Sequence, residues 1–456
     1  MQNTKAKKII KTIINCIIFL IVFALVMGYI AYVCKRKNSN EKYDDFFSQE
    51  EDFDVLFFGS SRVLNGIYPM ELWEDYGMVS YNFGGHGNYI PVSYWVWKNS
   101  MDYNKPKLVV IDATFIQENK PYRENTQQVH LSVDSFPLTN TKYDMVEDLF
   151  GDPDSDFYDN RYEFLFPFGS YHDRWNELTS DDFVVNDSPE KGAEMRIDVA
   201  KMVKADWLKE EDPWLEETLA KKYLRQWIKE CKEQDIEVLL VQLPYAATRL
   251  EQTYSQGVEA LAKELDVNYV NMLYEDVVNY HTDFYDTDGH LNPSGARKVT
   301  DYLGRYISEN YDIPDHGRDE EYSFWYDDYQ EYKNYKISLL KSQKYLETYL
   351  MLLNDSDLSC EIYINSASKL LEDEKVMQLI ENLTESVEVE NNGNYVEQVD
   401  GTSWDYDMEI IVNDLENFET IDDVKFTISD DTKPSDEALD NAIFFANDSY
   451  IKYGSQ

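Results

Sequence analysis

Residues 12–33 carry no charged side chain. As a helix rising 1.5 Å per residue they span roughly 33 Å, enough to cross a bilayer's hydrocarbon core. The run ends at Tyr32, Val33 and Cys34, followed by Lys35, Arg36 and Lys37. A secretory signal would be shorter and end in small residues, so an uncleaved anchor is expected. Val33 also suits lipidation of Cys34 poorly. Lys5, Lys7, Lys8 and Lys11 precede the span and three basic residues follow it, so the charge balance across it discriminates little. The expected arrangement is a single-pass cell-membrane protein, with residues 1–37 forming a cytoplasmic tail and anchor and a large extracellular body.

The body is strongly acidic. The chain holds 42 Lys and Arg against 87 Asp and Glu, a net charge of −45, and seven of the basic groups lie in the first 37 residues. Such a polyanion repels nucleic acid and anionic lipid, so nucleic-acid binding is excluded as a function class. A neutral or cation-bearing substrate is the simpler expectation. With 456 residues, 36 Tyr and 9 Trp there is ample material for two or three packed domains. The four cysteines form no CxxC or Cys/His pair, which excludes a disulfide framework and a zinc ribbon.

Residues 38–52 are polar and acidic and read as a stalk. Continuous apolar runs follow at 54–58, 79–83, 108–112, 236–242 and 267–270. Runs without alternation mean strands buried on both faces, as in a parallel sheet. Helical patterns sit between them, clearest at 215–232, where Leu219, Tyr223, Trp227 and Cys231 recur every four residues, and at 254–265. Strands alternating with helices predict an α/β domain over 53–310 with helices on both faces of the sheet. Ligands in such sheets bind beyond the carboxyl ends of the strands. Residues 113–214 are too long for an ordinary connection and read as a cap over those ends. From 311 to 456 the composition shifts. An acidic, Tyr-rich stretch leads into a long amphipathic helix (Tyr335, Leu339, Leu346, Leu350, Leu353), then alternating strands, predicting a separate α+β accessory module.

Three motifs fall at the strand ends or downstream of them. Gly59-Ser60-Ser61-Arg62 follows the first run. Serine at a strand-to-helix turn commonly caps the helix, yet it can also present its hydroxyl as a nucleophile. Asn82-Phe83-Gly84-Gly85-His86-Gly87 follows the second, where bare amides in a glycine-rich turn can meet a developing oxyanion. Far downstream, Asp286-Thr287-Asp288-Gly289-His290 precedes Asn292-Pro293-Ser294-Gly295, suiting a histidine base held by a carboxylate.

Together, and in this order, these blocks resemble the SGNH (GDSL-like) hydrolase superfamily over about residues 53–308. The resemblance implies a flavodoxin-like three-layer sandwich around a five-stranded parallel sheet. It maps the nucleophile onto Ser61, the oxyanion-hole glycine onto Gly87 and the base onto His290, with the Ser61 amide as a second oxyanion donor. The family Asp commonly stands three residues before the His, where this chain has Thr287; Asp288 is therefore the first candidate and Asp286 the second. The third strand ends in Ile111-Asp112-Ala113-Thr114, without the family's oxyanion-hole Asn. The Gly-Ser-Ser start, the single anchor and the His-Leu-Asn-x-x-Gly ending look closest to D-alanyl transfer proteins and exopolysaccharide O-acyltransferases. That likeness implies a serine O-acyltransferase or esterase acting on a cell-surface polysaccharide, without a cofactor, beside a membrane-bound O-acyltransferase partner. The alternative is a non-catalytic scaffold or glycan-binding protein on a degenerate site, favoured if the Ser61 and His290 side chains stand more than about 8 Å apart with no loop motion able to join them.

Weaker signals remain. Asn82, His172 and Trp175 are candidate substrate contacts, although a structural aromatic cluster is the plainer reading of the latter two. Asp152, Asp154, Asp156, Asn160 and Glu163 match positions of a calcium-binding loop, but Phe157 stands where that loop needs Gly, so a solvated acidic turn is expected.

Overall fold

The computed structural model describes residues 2–454 apart from 35–42, 44–45, 48, 50–51, 124–125, 156, 167, 184–188, 205–211, 344, 386–392, 402–403, 405, 430–443 and 447–448. The helices are α1 Gln2–Cys34, α2 Ser61–Gly66, α3 Pro69–Tyr76, α4 Ile90–Ser100, α5 Thr126–Val133, α6 Asn140–Phe150, α7 Phe168–Tyr171, α8 Leu219–Glu233, α9 Arg249–Leu265, α10 Pro293–Asn310, α11 Ser323–Lys341, α12 Leu346–Leu352 and α13 Glu374–Glu385. The strands are β1 Val55–Phe58, β2 Ser80–Asn82, β3 Leu108–Asp112, β4 Glu237–Gln242, β5 Asn268–Asn271, β6 Leu358–Asn365, β7 Tyr395–Val399, β8 Met408–Asp414, β9 Thr420–Ser429, β10 Phe444–Ala446 and β11 Ser449–Gly454.

The first five strands form an all-parallel sheet in the order β2-β1-β3-β4-β5. The four residues of β1 and the five of β3 are all buried, as their unbroken apolar runs require. Helices α4 and α8 pack together, as do α10, α3 and α2. Parallel pairing puts every strand's carboxyl end on one edge, so the turns after β1 and β2 emerge side by side. Helix α1 is long and apolar enough to cross a membrane.

A second, mixed sheet runs β10-β11-β9-β8-β6-β7, antiparallel except for the β6–β7 pair. In β8 buried and half-buried residues alternate, with Met408, Ile410 and Val412 facing a core shared with Leu346, Leu350, Val376 and Leu379.

Three expectations about organisation need correcting. The stretch read as a stalk contributes Tyr43 and Phe46 to the first core, where Phe46 meets Phe53, Tyr81 and Phe83 edge-on or stacked at 4.7–5.3 Å. Its acidic residues masked aromatics of a kind that bury roughly 150–250 Å² each. The boundary at 311 is too early. Trp325, Tyr329 and Tyr332 on α11 belong to the parallel-sheet core, with Trp325 against Trp73 and Phe53, and the second core begins near Leu340. The long amphipathic helix is also two helices. Ser342 closes α11 with N–H bonds to both the Ser338 and Leu339 carbonyls, and α12 starts afresh at Leu346.

Candidate active site

The turn after β1 divides its two serines between two jobs. Ser60 caps α2: its Oγ accepts from the Arg62 N–H at 3.3 Å and donates to Asp112 Oδ2 at 3.3 Å. Ser61, one residue on, projects into the cleft. Gly59 makes this possible, because a Cβ there would lie 2.6 Å from both Asp112 Cβ and Val63 Cγ2. Asp112 stands where the sequence left the third oxyanion donor open. Burial pushes its carboxyl up, partly offset by hydrogen bonds from Thr114 and Ser60 and by the Arg62 charge. It supports Ser60 from below and is no oxyanion donor.

His290 reaches this turn from the loop before α10. Its Nε2 lies 2.8 Å from Ser61 Oγ, and its Nδ1 lies 2.6 Å from Asp286 Oδ2. The orienting carboxylate is thus Asp286, and the preference for Asp288 is corrected. Asp286 Oδ1 accepts from the backbone N–H groups of Asp288 and His290 at 2.9 and 3.2 Å, which folds the loop so that residue i meets residue i+4. Gly289 takes φ +89°, a left-handed conformation that side chains resist, and a Cβ there would meet Tyr245. The Asp288 side chain is exposed, and its carbonyl accepts from Arg62 Nη2 at 3.2 Å. The loop is braced below: the Tyr285 N–H bonds the His290 carbonyl at 2.8 Å, and Asn292 Nδ2 bonds the Thr282 and Phe284 carbonyls.

The turn after β2 completes the group. Gly87 lines the same cleft as Ser61, Asp286 and His290. Among the described residues neither the Ser61 nor the Gly87 N–H meets a protein acceptor. Two unengaged amides beside a nucleophile are the arrangement an oxyanion hole requires. Asn82 is a scaffold residue and not a substrate contact. It is buried, its Nδ2 donates to the Val63 and Ile67 carbonyls at 2.8 and 2.7 Å, and its Oδ1 accepts from the Gly84 N–H. It ties the end of β2 to α2.

The cleft measures about 550 Å³. The 113–214 insertion supplies walls more than a roof: Phe115, Arg123 and Gln128 stand on the Gly87 side, and Arg196 also lines the space. Sequence reasoning missed Arg62, Arg123 and Arg196, which give the cleft cationic groups that the acidic whole conceals. Arg62 lies over the Tyr245 ring at 3.7 Å. The Gly-Ser-Ser-Arg string held the only cue for Arg62; the other two are brought in by the insertion's path.

Trp175 does not join the cleft. It is exposed, on a single-turn helix at His172–Asn176 that packs against α1; the His172 side chain lies outside the described part of the structure. The calcium candidates do not converge either. Asp152 Oδ1 accepts from the Asp154 N–H at 2.9 Å, Glu163 is exposed, Asp156 lies outside the described residues, and no group of three His, Cys, Asp or Glu among the described residues could hold a metal.

A scan against protein-family models finds no match for this chain, and a search of curated proteins finds none either.

Proposed function

We propose that this chain is a membrane-anchored, extracytoplasmic serine O-acyltransferase or esterase of the SGNH type, acting on acyl groups of a cell-surface polysaccharide. The observation that carries the reading is the continuous line from Ser61 Oγ to His290 Nε2 at 2.8 Å and from His290 Nδ1 to Asp286 Oδ2 at 2.6 Å. A non-catalytic scaffold has no need of that spacing.

His290 Nε2 takes the Ser61 proton as Oγ attacks the ester or thioester carbonyl carbon. Asp286 keeps the proton on Nδ1 and stabilises the imidazolium. The Ser61 and Gly87 N–H groups receive the oxyanion. Collapse expels the leaving group, which takes the proton from His290 and leaves an acyl-enzyme on Ser61. A sugar hydroxyl or water then attacks the acyl carbon as His290 removes its proton, and Ser61 recovers its own. The sugar gives transfer and water gives hydrolysis. In this reading α1 crosses the membrane with the N-terminus in the cytoplasm, and a membrane-bound O-acyltransferase supplies the acyl group.

The test is covalent labelling of the full chain by a fluorophosphonate probe, beside Ser61→Ala and Ser60→Ala. Labelling lost in Ser61→Ala and kept in Ser60→Ala supports the assignment. Equal labelling of wild type and Ser61→Ala removes it. Adding a glycan acceptor to p-nitrophenyl acetate then separates transfer from hydrolysis by the product formed.

A further inference from the structure

Along α1 the side chains from Ile9 through Tyr29 are exposed except for the half-buried Met27, Tyr29 being 58% exposed, and the helix then becomes buried at Val33 and Cys34. The change marks where the apolar helix meets the folded body. The body at that point is one part of the 113–214 insertion: α7, His172–Asn176 and a further single turn at Ser180–Phe183 all pack on α1. Arg174 clamps the junction. Its Nη1 donates to the Cys34 carbonyl at 2.9 Å, one of the carbonyls a helix leaves unpaired at its C-terminal end, and its Nη2 holds Asp182 at 3.1 Å.

The same stretch presents Phe166, Trp175 and Phe183, 64%, 71% and 55% exposed. Three large aromatic side chains this exposed within eighteen residues are costly in water. Beside the end of a membrane-length helix they match the Trp and Phe side chains that interfacial segments bury at the headgroup–acyl boundary. The stretch is acidic in sequence, with Asp173, Glu177, Asp181 and Asp182, so attraction to anionic lipid is not the driving force. Burial of rings is.

We propose that the described residues of 162–183 rest on the bilayer surface, with Phe166, Trp175 and Phe183 in the headgroup layer, and so hold the cleft at a fixed height above the membrane. The inference rests on the reading that α1 crosses a bilayer. The occupant is lipid because the patch is continuous with that helix. Packed contacts join this rest to the cleft. Tyr171 Oη donates to Asp134 Oδ2 at 2.9 Å, Asp134 holds His130 Nδ1 at 2.8 Å, and the His130 ring stacks on Phe164 with centroids 4.0 Å apart. His130 and Asp134 stand on and just after α5, the helix that brings Gln128 to the cleft wall. The site is thereby directed to an acyl ester presented at the membrane surface.

The test uses the full chain in nanodiscs of phosphatidylcholine, with and without bromine placed high on the acyl chains. The Trp175 signal is the difference in fluorescence between wild type and Trp175→Phe. Phe23→Trp within α1 serves as the control for the span. The expected result is quenching of the Trp175 signal by about twofold or more, as for interfacial tryptophan. Quenching of Phe23→Trp with an unquenched Trp175 signal would overturn the bilayer rest while leaving the anchor intact. If neither is quenched, the membrane-spanning reading fails and the rest fails with it.

Discussion

Two concentrations of ionisable side chains share the α2–α3 segment, Ser61 opening α2 and Glu71 standing on α3, and they are built on opposite plans. At the cleft, Ser61, His290 and Asp286 are half-buried, and the Ser61 and Gly87 N–H groups are left unengaged among the described residues. Between α3, α10, α11 and the turn before β6, Glu71, Arg297, Lys336, Asp355 and Asp357 are sealed and turned on one another. Lys336 Nζ meets Asp357, Asp355 and Glu71 at 2.8, 3.1 and 3.3 Å, Arg297 meets Asp355 at 2.7 Å, and Tyr332 and Tyr329 donate to Glu71 and Asp357 at 2.8 Å. The open group leaves bonding capacity unspent, as the proposed function requires. The closed group spends its capacity internally and fixes how α11 and the second sheet sit against the parallel-sheet unit.

The contrast can be broken from either side. Ser61→Ala should lower acyl-ester turnover by about 10⁴-fold or more and Asp286→Asn by about 10³–10⁴-fold, with the unfolding midpoint unmoved. Steady-state kinetics and a denaturant titration on the same sample check this. Lys336→Met should do the reverse. Three buried carboxylates lose their central cation, so stability should fall by about 3–5 kcal/mol while the protein that remains folded keeps any turnover it has. A loss of turnover without a shift in midpoint would show that the two groups are not independent.

Acid sharpens the comparison further. Burial alone would raise the Asp357 carboxyl, but Lys336, Tyr329 and Lys333 outweigh it and hold it at about 2, below the usual 3.9 or so. At pH values between these two the unfolded chain binds more protons than the native one, so stability rises with pH there. The contribution is fully present above about pH 4 and is lost as pH falls through about 2. Asp357→Asn should flatten the dependence of the denaturant midpoint on pH in that window. The smallest effect belongs to Asp288→Asn, which should alter turnover by no more than about twofold, since the Asp288 side chain is exposed and only its carbonyl is engaged, by Arg62.

The same contrast explains what could be read from the residues alone. The five parallel strands were legible because Val55–Phe58 and Leu108–Asp112 need apolar surroundings on both faces, a local property. That Ser61, Gly87 and His290 share one cleft was legible because few residue types suit the constellation the motifs suggest. The choice between Asp286 and Asp288 was not. It depends on a loop folded by two backbone N–H bonds and by Gly289 at positive φ, which spacing does not reveal. The sealed group was invisible for a different reason. Glu71, Arg297, Lys336 and Asp357 come from four distant segments, and each alone reads as a surface charge. Tyr43, Phe46 and Trp325 were hidden the same way, as aromatics inside acidic stretches whose partners lie elsewhere in the chain.

His290 and Asp286 ride on one short loop, whereas Ser61 stands on a separate turn. In the proposed mechanism a displacement of this loop would carry His290 and Asp286 together and alter the 2.8 Å contact to Ser61 first. Engagement of Ser61 would then reduce to one sliding coordinate, like a bolt and its keeper. A substitution that nudges the loop would change how often the bolt is home, not which nitrogen of the imidazole carries the proton.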